Sequence, residues 1–171
     1  NLALEVVGRR AAGFHELRTI FQTIDLGDVV ELTPLAGSAT IQLEVTGAAL
    51  PADESNLAWR AARAFLERWG RAGEGVAIRL EKRIPTGGGL GGGSANAATV
   101  LLGMARLFGR RPERGELEEV ARRLGADVPF FLHGGSALGR GRGDEIVPLD
   151  DPTEGESELH LIVPPWPLAT A

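Results

Sequence analysis

Apolar residues recur along this chain at two periods, and the switches between them mark out its elements. Leu2, Leu4 and Val6 alternate with other residues over 2–7, which predicts a strand, and Gly13-Phe14-His15-Glu16-Leu17 reads as a loop leading into further apolar sequence. Residues 29–33 and 41–45 alternate again around a Gly-containing connection at 34–38, predicting two antiparallel strands. Over 56–69 the period changes. Leu57, Ala61, Phe65 and Trp69 recur every fourth residue, as in a helix with Ser55 or Asn56 as N-cap and Gly70 as its stop. Val76, Ile78 and Leu80 return to strand alternation. A second helix is predicted over 95–108 from Ala97, Leu101, Met104 and Phe108, and a third over 116–124 from Leu117, Val120, Ala121 and Leu124, with Gly125 at its end. Strands follow at 136–138, 145–149 and 159–163. This order is an α+β pattern, without regular βαβ alternation. The acidic, Pro- and Gly-containing stretch at 151–157 is the natural linker, so residues 1–150 are expected to form one domain and 158–171 the opening strand of a second.

Composition narrows the function classes more than the fold. The chain has 171 residues, 43% hydrophobic and 24% charged, with a net charge of −5 and no cysteine. An acidic balance argues against a general nucleic-acid binder, and no apolar run approaches the roughly 18 residues of a membrane helix. Disulfides, thiolate nucleophiles and Cys-based zinc sites are excluded. No nucleic-acid or membrane partner is expected, no signal peptide is visible, and the expected location is cytoplasmic. Residue 1 is Asn, entering an alternation already under way, and 164–171 stops without a closing element, so the sequence reads as a fragment. Lys82 is the only lysine.

That lysine stands just ahead of the densest chemical signal. In the segment Lys82-Arg83-Ile84-Pro85-Thr86-Gly87-Gly88-Gly89-Leu90-Gly91-Gly92-Gly93-Ser94, six of the seven positions from 87 to 93 are glycine. So much glycine costs conformational entropy on folding. The usual compensation is close approach of bare backbone N–H groups to an anion at a helix N-terminus, phosphate first among them. Gly87, Gly89 and Gly92 formally satisfy G-x-G-x-x-G, but no second parallel strand ending in an acid follows, so the dinucleotide reading fails on context. No lysine follows the loop as in a Walker A motif, and the protein-kinase motifs are absent. A flexible linker would lack Ile84-Pro85 before it, Leu90 within it and an amphipathic helix directly after it.

Two further groups stand out. In Gly125-Ala126-Asp127-Val128-Pro129-Phe130-Phe131 an aspartate follows a helix stop and precedes an apolar run, which would partly desolvate it; the plainer reading is a turn or N-cap aspartate. In Gly8-Arg9-Arg10 with Gly13-Phe14-His15-Glu16-Leu17 an aromatic ring and an imidazole share a glycine-opened loop, where a lone histidine is more often structural.

Taken together, these segments resemble a known superfamily. The pattern P-x-x-x-G-L-G-G-G-S at 85–94 resembles the phosphate-binding motif of the GHMP kinases, which include galactokinase, homoserine kinase and mevalonate kinase. The Phe14-His15 loop, the run from Lys82 to Ser94 and the Gly125–Phe131 segment are similar to the branch whose acceptor is 4-(cytidine 5'-diphospho)-2-C-methyl-D-erythritol. Asn56-Leu57 with Arg60-Ala61 and the Gly141-Arg142-Gly143-Asp144 turn fit the same branch. The likeness runs over the whole chain.

The resemblance implies a GHMP nucleotide-binding α+β domain (ribosomal protein S5 domain 2-like), followed by the start of a second α/β domain. It implies ATP-dependent phosphorylation of the acceptor's 2-hydroxyl, in the non-mevalonate isoprenoid pathway, with Mg²⁺ accompanying ATP. Pro85, Gly87, Gly88, Gly89, Leu90, Gly91, Gly92, Gly93 and Ser94 would bind the ATP phosphates, Ser94 by a hydroxyl hydrogen bond or by reaching Mg²⁺. Asn56, Leu57 and Lys82 match the adenine side. Asp127 matches the catalytic aspartate, whose partner lysine falls two residues before Asn1. Phe14 and His15 match the residues that hold the cytosine, and Asn1 one near the diphosphate or erythritol, so that 1–22 also contributes to the substrate site. Three positions depart from the branch's usual pattern: Phe14 replaces its tyrosine, Ala12 an aspartate and Ala95 a second serine. The rivals are another GHMP small-molecule kinase and a non-catalytic nucleotide-binding protein on the same fold.

Overall fold

The computed structural model describes residues 1–9, 15–150 and 158–163, with Arg9 and His15 as backbone only. In chain order the elements are β1 (Ala3–Arg9), β2 (His15–Gln22), β3 (Val29–Ala36), β4 (Ile41–Thr46), α1 (Leu57–Trp69), β5 (Glu74–Glu81), α2 (Gly92–Leu107), α3 (Arg114–Leu124), α4 (Val128–His133), β6 (Ser136–Arg140) and β7 (Glu145–Leu149). They form two sheets, an antiparallel one in the order β1-β2-β6-β7 and a smaller one in the order β3-β5-β4. The α+β class holds.

The two strands expected to pair around residues 34–38 do not pair with each other. β5 lies between them, antiparallel to β3 and parallel to β4. Burial decides the order: Val76, Ile78 and Leu80 of β5 are at most 2% exposed, and the most apolar strand takes the centre. A parallel neighbour needs a crossover, and α1 provides it between β4 and β5. β3 extends through Pro34, which pairs opposite Val76. Proline is tolerated there because β3 is an edge strand.

The core lies between this sheet and the helices. Ala58, Ala61, Ala62 and Phe65 of α1 pack with Ala97, Val100, Leu101 and Met104 of α2 against β5, and Leu117, Val120, Ala121 and Leu124 of α3 complete the cluster. The Asn56 side chain caps α1 by accepting from the Ala58 N–H at 3.0 Å. Gly103 lets α2 approach β3 closely, since a Cβ there would stand 2.6 Å from Leu32 Cδ1. A second, small cluster of Phe21, Phe130 and Ala137 joins the four-stranded sheet to α4.

Two further expectations are corrected. α2 begins at Gly92, inside the glycine run, because burial of its apolar face overrides the poor helix propensity of glycine. Residues 158–163 form no strand, and no described strand lies alongside to pair with them; Leu159, Leu161, Ile162 and Val163 are exposed. The linker at 151–157 and the end of the chain at 164–171 lie outside the described residues.

Candidate active site

β5 delivers the chain into the glycine loop and α2 takes it away. Gly87, Gly89 and Gly91 have φ of 76°, 70° and 69°, the left-handed region that favours glycine. Gly91 is the N-cap of α2 and offers no side chain to the first turn. The free N–H groups of that turn therefore point toward whatever lies above them, with the positive end of the helix behind. The glycines serve different ends. A Cβ on Gly91 would stand 3.0 Å from the Phe131 ring, and one on Gly92 3.1 Å from Ile84 Cγ2, whereas one on Gly89 would meet nothing within 4 Å. Gly91 and Gly92 make room for protein; Gly89 keeps its space for something else.

Two cavities meet at this loop. One, of about 440 Å³, is lined by Gly87–Ser94 together with Asn56, Leu57, Lys82 and Pro85. The other, of about 530 Å³, is lined by Asn1, Phe21, Asp127, Phe130 and Phe131 among others. Gly89, Leu90, Gly91 and Asn96 border both. A phosphate on the loop would thus face one cavity from within the other.

Asp127 sits at the N-cap position of α4 but makes no capping bond, and its carboxylate accepts no hydrogen bond among the described residues. Although exposed, it faces a concave wall, and that desolvation raises its pKa. A carboxylate without a donor, crowded by protein and open to a cavity, holds a proton more readily than one in water. Ser94 reaches toward the same turn, its Oγ lying 4.0 Å from where a Cβ on Gly125 would stand. Across the cavity, Asn1 donates through Nδ2 to Thr19 Oγ1 at 2.7 Å, and Thr19 donates to the Ala3 carbonyl at 2.8 Å.

Comparison with known proteins places this arrangement. Residues 56–135, from the α1 cap through α4, match the GHMP kinases N terminal domain family. A solved structure of 4-(cytidine 5'-diphospho)-2C-methyl-D-erythritol kinase resembles the chain with a TM-score of 0.73 and 46% identity, over 87% of this chain and 52% of that one. This is a GHMP kinase N-terminal domain. Curated relatives agree. The chain is 48% identical to 4-diphosphocytidyl-2-C-methyl-D-erythritol kinase of Acaryochloris marina, over 88% of this chain and 48% of that protein. It is 47% identical to the kinase of the same name from Deinococcus radiodurans, over 88% of this chain and 50% of that one. The chain spans about half the length of the curated relatives it matches.

Within this GHMP domain, the residues read from the sequence as phosphate and adenine ligands all line the first cavity, and Asn1 and Asp127 both line the second. Phe14 and the His15 side chain lie outside the described residues. Lys82 lines the nucleotide cavity but is not free, because its ammonium is paired with Asp28. Sequence reading missed Asp28 and Asn96. Asp28 is one of many acids, and only its place directly ahead of β3 distinguished it. Asn96 lies within the predicted α2 and, as a polar residue in a small-residue stretch, could have been singled out.

No helix among the described residues is long and apolar enough to cross a membrane.

Proposed function

We propose that this chain is the nucleotide-binding part of an ATP-dependent kinase that phosphorylates the 2-hydroxyl of 4-(cytidine 5'-diphospho)-2-C-methyl-D-erythritol. The observation that carries the reading is the shared wall, with Gly89–Gly91 separating a glycine-lined cavity from one that holds Asp127. Sequence identity near one half to kinases named for that acceptor supports the choice of substrate.

Phosphoryl transfer asks a protein mainly for positioning and charge neutralisation. The N–H groups at the start of α2 hold the β- and γ-phosphates, the helix dipole adding to the attraction. Asp127 accepts the proton of the acceptor hydroxyl as its oxygen attacks the γ-phosphorus. Asn1 contacts the diphosphate or erythritol, while Phe14 stacks on the cytosine and His15 hydrogen-bonds its polar edge. The described residues contain no group of three His, Asp or Glu side chains placed to chelate a metal. Magnesium accompanying ATP would neutralise phosphate charge, and the Ser94 hydroxyl is a group that would help hold it. A bacterial cytoplasmic location goes with the reading.

A coupled ADP-release assay on the full-length protein, offering the cytidine-diphospho acceptor, mevalonate, homoserine and galactose in turn, tests it. Turnover is expected with the first alone. Turnover with homoserine only would make it a different GHMP kinase, and ATP binding without turnover on any acceptor would make it a sensor. Phe14→Ala is expected to raise KM for the cytidine acceptor and leave KM for ATP unchanged; the reverse pattern overturns the cytosine assignment.

A further inference from the structure

Beneath the loop lies a buried ion pair that the proposed chemistry does not use. The side chains of Lys82 and Asp28 are 4% and 1% exposed and contact each other through Nζ and Oδ2. Asp28 Oδ1 also accepts from the N–H groups of Arg83 at 2.7 Å and Ile84 at 2.8 Å, and the Asn96 side chain lies beside the same carboxylate. Arg83 and Ile84 are the chain's entry to the glycine loop, and Asn96 is in α2, its exit. The ion pair thus touches both ends of a loop whose glycines supply no side chains of their own, Asp28 bonding to its entry and Lys82 packing against Gly92 at its exit.

The pair is also oriented. Lys82 lines the nucleotide cavity, Asp28 lines the acceptor cavity, and Asn96 borders both. A Cβ on Gly92 would stand 3.2 Å from Lys82 Nζ, so the ammonium packs directly against the first residue of α2. An unpaired ammonium there would oppose the positive end of the helix. With Asp28 behind it, its positive end supports an anion in the nucleotide cavity and its charge is balanced away from the helix. Burying two charges seldom stabilises more than apolar packing of the same volume, so retention of such a pair calls for another reason.

We propose that Asp28, Lys82 and Asn96 form a positioning clamp that fixes the glycine loop in its phosphate-binding conformation. The clamp rests on the kinase reading, but its test separates the two. In the full-length protein, Asp28→Asn is expected to weaken MgATP binding about tenfold by calorimetry and to speed amide exchange over 87–94 but not in α3. The double variant Asp28→Leu/Lys82→Met removes both charges, so its thermal midpoint should return toward the parent while MgATP binding stays weak. Recovery of binding together with the midpoint would reduce the pair to a stability element and overturn the clamp. Should the double variant fail to fold, Asn96→Ala releases the α2 end without stranding a charge. Unchanged MgATP affinity and loop exchange in that variant would overturn the clamp equally. A parent protein that binds no MgATP would refute the kinase reading, and the exchange measurement would still decide the clamp.

Discussion

In the proposed reaction the chemistry depends on Asp127, and its surroundings set how it should behave. Replacement by asparagine keeps the shape and removes the base. Asp127→Asn is expected to lower kcat by about 10²–10⁴-fold, the usual contribution of a general base, with MgATP affinity within a few-fold of the parent. Loss of ATP binding in that variant would assign the residue to the phosphate site instead. Desolvation raises its pKa above the ordinary value of 3.8. The linkage has a definite sign. A carboxylate whose folded pKa is raised favours the fold while protonated and loses that contribution as pH rises through the folded value. Asp127→Asn should therefore gain in thermal midpoint at pH 7 relative to the parent, and the gain should shrink toward pH 4. Asp28 has the opposite sign. Burial pushes its pKa up, but the bonds from Lys82, Ile84 and Arg83, with Asn96 beside them, outweigh burial and lower it, so its contribution is present at neutral pH and lost in acid.

At the scale of the element, the glycine loop and α2 divide the work among residues that look alike in sequence. Gly91 and Gly89 share a left-handed φ, and an alanine at either position carries a backbone cost of roughly 1–2 kcal/mol. They differ in what a Cβ meets: the Phe131 ring at 3.0 Å for Gly91, and nothing within 4 Å for Gly89. Gly91→Ala should therefore lose more stability in denaturant titration than Gly89→Ala. Gly89→Ala should show the larger rise in KM for ATP relative to its stability loss, since its open side faces the ligand. Equal KM effects at the two positions would count against a phosphate beside Gly89. The run of glycine, the strand before it and the helix after it were legible in sequence, because each is a local pattern of residue types. Which glycine faces protein and which faces ligand was not, since that depends on Phe131 arriving from α4.

At the scale of the whole molecule, the four-stranded sheet packs on α4 through a small aromatic cluster. Phe21 of β2 stacks on Phe130 of α4 with ring centroids 4.6 Å apart, and Phe130 meets Phe131 at 5.0 Å. This stack also lines the acceptor cavity beside Asp127. Phe21→Ala is expected to cost about 3–5 kcal/mol of unfolding free energy, as for a large-to-small change at a buried aromatic. It should also raise KM for the acceptor more than KM for ATP. A variant of parental stability would show that the four-stranded sheet is held to α4 elsewhere.

Local pattern determined a large part of this protein. Period-four and period-two alternation specified α1, α2, α3 and β5, since amphipathic elements carry their burial in their own spacing. Asn56 and Gly70 punctuated α1 for equally local reasons. The glycine run suggested an anion site, because backbone N–H groups left bare at a helix start are suited to one. What depends on contact between distant segments was settled only in three dimensions. β5 displaced the expected pairing of β3 and β4, because the most apolar strand must be central. Asp28 and Lys82 lie 54 positions apart in sequence and meet in the core, and nothing in either local pattern requires it. The facing of Asp127 and the glycine loop across a shared wall was likewise decided by how α2 and α4 pack.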